Sequence, residues 1–92
     1  MNKYIDYASL PEALRHGARL WIEHHVEPGD FLCAVIQNDL AEAASRADEA
    51  NSRSLSEIVS WFYINAPVPC WGSKEKFEAW SATGRAKKEG ES

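Results

Sequence analysis

Apolar residues recur along this chain at spacings of three and four, and the polar residues between them mark where helices start and stop. Leu10, Leu14, Gly17, Ala18, Trp21 and Val26 follow such a pattern, which predicts a first helix from Ser9 to about His25. "SLPE" reads as its capping box, with Ser9 and Glu12 satisfying each other's backbone N–H groups and Pro11 tolerated in the first turn. The residues before it, 1–8, are expected to form an arm packed on the domain through Tyr4 and Ile5. "VEPG" breaks the pattern. Phe31, Leu32, Val35, Ile36, Leu40, Ala43 and Ala47 then lie along one face, predicting a second helix from Pro28–Asp30 to about Ala50. Two i,i+4 pairs of favourable orientation, Glu42–Arg46 and Glu49–Arg53, decorate it.

Ser54 and Glu57 read as a second capping box opening a third helix, with Leu55, Ile58, Val59, Phe62 and Trp61 as its buried face. Asn65 and Ala66-Pro67 end it, because a residue before proline is pushed out of helical conformation. "APVPCWG" is expected to run as an extended connector, delivering Cys70 and Trp71 onto the core. Ser73 then caps a short fourth helix with Phe77 and Trp80 inward and Gly84 as its stop. Residues 85–92 are expected to be disordered. With no period-two apolar segment, the pattern predicts an all-α fold over residues 1–84: a small bundle of three main helices, a Pro-rich connector and a short C-terminal fourth helix.

Composition changes this picture in two places. A chain of 92 residues makes one domain, and one so short buries only about 60–65% of its unfolded surface. Four Trp, three Tyr and three Phe supply much of its core, and a core completed across a homodimer is compatible with that economy. Charge is the second. The net charge is −4, yet Glu23–Glu57 alone carries eight acidic residues against Arg46 and Arg53. That imbalance argues against phosphate-backbone contacts, and so against direct nucleic-acid binding, and it suits a basic protein partner. No apolar run approaches the roughly 20 residues of a membrane span. Two cysteines outside any CxxC pattern, with no signal peptide, point to reduced thiols and a cytoplasmic location.

The motifs of known chemistry are missing in instructive ways. His24 and His25 are adjacent and diverge by about 100° on a helix, and there is no HExxH or clustered cysteine, so metal ligation is not expected. The glycines form neither a GxGxxG nor a Walker pattern, and no cofactor is implied. Cys33 reads as core. Cys70 is conceivable as a nucleophile only if folding brings a histidine to it, whereas burial is the commoner fate of cysteine. The chain is therefore not expected to be an enzyme. Asn38, Asp39, Glu42, Arg46, Asp48 and Glu49, together with Trp71, are the candidate partner-binding residues. The plainer reading of that polar string is an ion-paired stripe orienting the second helix on the third.

The string "PGDFLCAVIQNDLAEAASRADEANSRSLSEIVSWFYINAPVPCWGSKEKFEAW", residues 28–80, resembles a family of small, mostly uncharacterised proteins of bacteriophages, prophages and related mobile elements. The likeness rests on "GDFL", "NDL", "RAD", Asn51, "IVSW", Tyr63, Ala66-Pro67, "CWGS" and Trp80 in that order. The chain departs from the pattern at Ile64, where the family places an Asn after the Tyr. The resemblance implies a phage or mobile-element origin, and small acidic proteins of that origin often act stoichiometrically on a host protein. A non-enzymatic inhibitor or modulator of a host or defence factor, working in a bacterial cytoplasm as anti-CRISPR proteins do, is the expectation. Two alternatives stand beside it. One is a sponge for a small signalling nucleotide, held by Trp or Tyr faces with Arg15 or Arg19. The other is a homo-oligomeric assembly protein.

Overall fold

The computed structural model describes residues 5–91, with side chains through Gly84. All regular structure in the described residues is helical. A 3₁₀ turn at Tyr7–Ser9 leads into α1 (Glu12–His24), α2 (Asp30–Ile36), α3 (Leu40–Arg46), α4 (Glu49–Arg53) and α5 (Leu55–Asn65). A second 3₁₀ turn at Val68–Cys70 precedes α6 (Lys74–Glu91). The all-α expectation holds, but the arrangement of three helices plus one does not describe what is seen. Residues 1–4 of the expected arm, and Ser92 of the expected disordered tail, lie outside the described residues.

The second predicted helix is three short ones, and the polar residues between its apolar positions are the reason. Asn38 adopts a left-handed conformation at φ 62°, which asparagine tolerates better than most residues. It ends α2 in a Schellman motif: the Asn38 N–H donates to the Val35 carbonyl and the Asp39 N–H to that of Ala34, both at 2.9 Å. Asp39 then caps α3, its Oδ1 accepting from the Glu42 N–H at 3.2 Å. Asp48 does the same for α4, accepting from the Asn51 N–H at 2.8 Å, after Ala47 has turned the chain extended. Each break satisfies terminal backbone groups that would otherwise be orphaned. Leu40, counted on the buried face of a continuous helix, is consequently half exposed, while Ala43 stays buried.

Two capping assignments fail. The Ser9 hydroxyl donates to the Asp6 carboxylate at 2.7 Å instead of capping α1, which begins at Glu12 after Pro11. Arg15 secures that junction, donating to the carbonyls of Leu10 and Ala8. Ser54 makes no side-chain cap, because its backbone N–H still reaches back to α4 and the chain passes almost unbroken into α5. Ser73, by contrast, caps α6 as expected, accepting from the Lys76 N–H at 3.1 Å. The extended connector also tightens into a 3₁₀ turn, closed by the Cys70 N–H on the Pro67 carbonyl.

The core gathers around Trp21, which is fully buried. Its indole N–H donates to the Cys70 carbonyl at 2.9 Å, and its own carbonyl accepts from the Trp80 indole at 2.8 Å. Its ring stacks on Phe77 with centroids 4.9 Å apart. One residue of α1 thus ties the connector and α6 into a single body. Gly72, at φ 110°, adds a second tie by donating its N–H to the Ile36 carbonyl at 2.7 Å. Cys70 is fully buried and is the plug the sequence suggested, whereas Trp71 is half-buried at its edge, 5.9 Å from Phe62.

Gly84 does not stop α6. The helix continues past it to Glu91, and the glycine serves instead as a crossing point with the end of α1. A Cβ built there would sit 2.5 Å from the Cβ of His25 and 3.2 Å from its carbonyl oxygen. His25 ends α1 in the left-handed region at φ 60° and stacks on Trp80 at 4.2 Å. Its Nδ1–H donates to the Trp80 carbonyl at 2.8 Å, and Ser81 reinforces the joint by donating to Glu27.

Trp21→Phe removes the N–H along with the indole's second ring, leaving the Cys70 carbonyl without its donor and a small cavity beside it. Chemical denaturation should record a loss of about 1–3 kcal/mol; a change within about 0.5 kcal/mol would show that the bond does not hold the connector. Gly84→Ala should lower the thermal midpoint even though alanine favours an open helix by about 1 kcal/mol over glycine.

Candidate functional site

The acidic segment expected to meet a partner sits on α2–α4, and the structure sorts its members into different roles. Asp39 and Asp48 are helix caps whose carboxylates also face solvent. Glu42 accepts from the Arg46 Nε–H at 2.6 Å, and Arg46 reaches back to Asp30 on α2 at 3.3 Å. That triad bridges α3 to α2 and raises the Arg46 pKa, chiefly through its hydrogen bond to Glu42. Glu49 pairs with Arg53 at 3.1 Å. Both i,i+4 pairs read from the sequence form, each inside its own short helix.

Asp30, Asp39, Glu42 and Arg46 rim a shallow groove of about 180 Å³ floored by Cys33, Ala34 and Gln37. Asp48 and Glu49 lie one helix further on, outside it. Asn38 is exposed at the α2–α3 turn, and Trp71 precedes Gly72, whose N–H joins the connector to the last residue of α2. The candidate residues therefore form an exposed negative ridge with Trp71 tethered near one end. Only Asp39, Glu42 and Arg46 of them share a groove.

Basic side chains collect elsewhere. Arg15, His16 and Arg19 on α1 face Tyr7 and Ala8 across a groove of about 600 Å³, with Ile5 and Glu23 completing it. The Arg19 guanidinium lies over the Tyr7 ring, 5.0 Å from its centroid. The Tyr7 hydroxyl donates to Glu23 at 3.1 Å, and burial together with that carboxylate pushes its pKa well above the ordinary phenol value. The sequence singled out Arg15 and Arg19; the i,i+4 spacing of 15, 19 and 23 was the signal for the shared face.

The thiols are not poised for reaction. Burial pushes the Cys70 pKa up to about 12. Burial first, then the nearby carboxylates of Glu27 and Asp30, raise that of Cys33 to about 11. Cys33 is half-buried against the core, and its S–H donates to the Pro28 carbonyl at 3.2 Å. Among the described residues no group of three His, Cys, Asp or Glu side chains is arranged to hold a metal ion, and no helix is long and apolar enough to cross a membrane.

Sequence reasoning passed over one surface. Tyr63 and Ile64 on α5, and Val68 in the following turn, are large apolar side chains left in solvent. The signal was present, since neither Tyr63 nor Ile64 falls on the face formed by Ile58, Trp61 and Phe62. No protein-family model, curated protein or solved structure matches this chain.

Both thiols favour the protonated form in the fold, so their contribution to stability is intact below their ordinary value of 9.0. It should be lost as the pH rises toward about 11 for Cys33 and about 12 for Cys70. Denaturation midpoints followed from neutral to strongly alkaline pH should fall over that window, and a thiol reagent at pH 8 should label Cys70 only as fast as the domain unfolds. Rapid labelling of Cys70 in the folded protein would contradict its burial.

Proposed function

We propose that this protein is a non-enzymatic binding module of phage type that acts stoichiometrically on a basic surface of a host or defence protein. The observation that carries the reading is the ridge on α2–α4: five exposed carboxylates, Asp30, Asp39, Glu42, Asp48 and Glu49, against two guanidiniums. Both guanidiniums are already paired within the ridge. The caps and ion pairs hold these carboxylates in place on short helices, so little ordering remains to be done on binding. A surface of this sign accelerates encounter with a positive patch and suppresses wrong partners, while affinity comes from the apolar contacts that follow. The resemblance to phage-encoded proteins supports a host factor, and specifically a defence factor to be blocked, as the target.

A second reading has its own observation. The α1 groove offers an aromatic ring, two guanidiniums and an imidazole within a volume suited to a small ligand of about 300–1,000 Å³. A nucleotide would place its base near Tyr7 and its phosphates toward Arg15 and His16. It ranks second because Arg15 is held by two backbone carbonyls and Glu23 brings a negative charge to the same wall.

Affinity capture from a bacterial host lysate should recover one defined partner. The double variant Glu42→Lys, Glu49→Lys, which spares both caps, should slow association about tenfold at low salt; capture of nothing above background sinks the reading. Calorimetric titration with cyclic dinucleotides tests the second one. Binding that Arg19→Ala weakens about tenfold, with the thermal midpoint unchanged, would favour it, and no heat at millimolar ligand would dismiss it.

A further inference from the structure

Helix α5 buries Ile58, Trp61 and Phe62 and turns two large apolar side chains the other way. Tyr63 is 79% exposed and Ile64 76%, and Val68 just beyond the helix is 69% exposed. A single exposed leucine or valine needs no explanation, but three large apolar groups left in solvent within six residues cost solubility unless something covers them. Tyrosine is one of the residue types enriched among those that carry binding energy.

Of these three, Ile64 also walls, with Trp61, a groove of about 470 Å³ flanked by Asp6, Glu57, Ser56 and Ser60. Its walls are set before any ligand arrives. The Trp61 indole donates to the Asp6 carbonyl at 2.9 Å, fixing the N-terminal segment to α5, and the ring is held between Tyr7 and Phe62. Among the described residues, the two charged groups lining the groove are both carboxylates, with no Lys or Arg. From this geometry we infer that the end of α5 is the anchoring surface for a basic, amphipathic segment of another protein. One apolar side chain of that segment lies along Ile64 and Trp61, and its Lys or Arg neighbours meet Asp6 and Glu57.

A second copy of this chain fits worse. Isologous pairing would bring the same acidic-lined groove against itself, in a chain already carrying −4. The inference rests on the binding-module reading and adds the place where the partner is gripped, the α2–α4 ridge serving to steer it.

Selection from a random peptide library displayed against the immobilised protein tests it without knowledge of the partner. Enriched peptides should carry an apolar anchor flanked by Lys or Arg. Titrated into ¹⁵N-labelled protein, they should shift amides of residues 57–68 most. Ile64→Asn and Tyr63→Ser, both at solvent-facing positions, should each weaken binding at least tenfold and leave the thermal midpoint unchanged. Enriched acidic peptides, or shifts confined to α3 and α4, would overturn the inference, the latter leaving the binding-module reading intact. Amide shifts in this patch that depend on protein concentration alone would put a second copy there and overturn it too. Lack of any enrichment while the lysate still yields a partner would overturn this inference alone; background in both would overturn the reading beneath it.

Discussion

Everything in this small domain turns on the burial of Trp21. An indole in the interior brings a large apolar surface and one N–H that must find an acceptor. Here the acceptor is the Cys70 carbonyl, 49 residues away in the chain. The same residue's backbone carbonyl takes the Trp80 indole, and its ring takes Phe77. Among the described residues no buried side-chain nitrogen or oxygen lacks a partner. In a core this size that matters, because one orphaned group costs about 1–3 kcal/mol of a total stability of about 5–15 kcal/mol. The connector "PVPCWGS" is therefore best understood as the far end of this bond. Cys70 presents a carbonyl to Trp21 and a buried, protonated thiol to the core.

The short helices α2–α4 solve a different problem. One continuous helix would have carried its acidic residues in a straight stripe. Breaking it at Asn38 and at Ala47–Asp48 lets the segment bend around the core while every break is capped by a side chain already present. "NDL" and "RAD" are these boundaries: a left-handed asparagine and two N-cap aspartates. "CWGS" is a third, with Gly72 at positive φ and Ser73 as cap. Much of what makes the string distinctive is thus architecture, which explains how so regular a pattern can go with so little recognisable chemistry.

The proposed function is carried by surfaces. The acidic ridge is prearranged by ion pairs within it, and the apolar end of α5 is prearranged by Trp61. Ile64 is among the chain's most exposed apolar residues.

How much of this could be read from the residues depended on the range of the interaction. Helical periodicity, the end of α5 at Ala66-Pro67, the Ser73 cap and the Glu42–Arg46 and Glu49–Arg53 pairs are local, set within four or five residues, and they were legible. The Asp39 cap was legible too, since Asp39 and Glu42 have capping-box spacing, but a longer apolar period masked it. The roles of Ser9 and Ser54 depended on which of several nearby donors and acceptors won, and there local signals misled. What no local pattern could supply was the pairing of Trp21 with Cys70, of Gly84 with His25, and of Trp61 with Asp6. Each joins residues 49 to 59 positions apart in the chain. Residue type alone established a helical, tryptophan-rich, acidic domain. Only close packing decided which tryptophans became its hub, which glycine let α6 pass, and which apolar side chains were left facing the solvent.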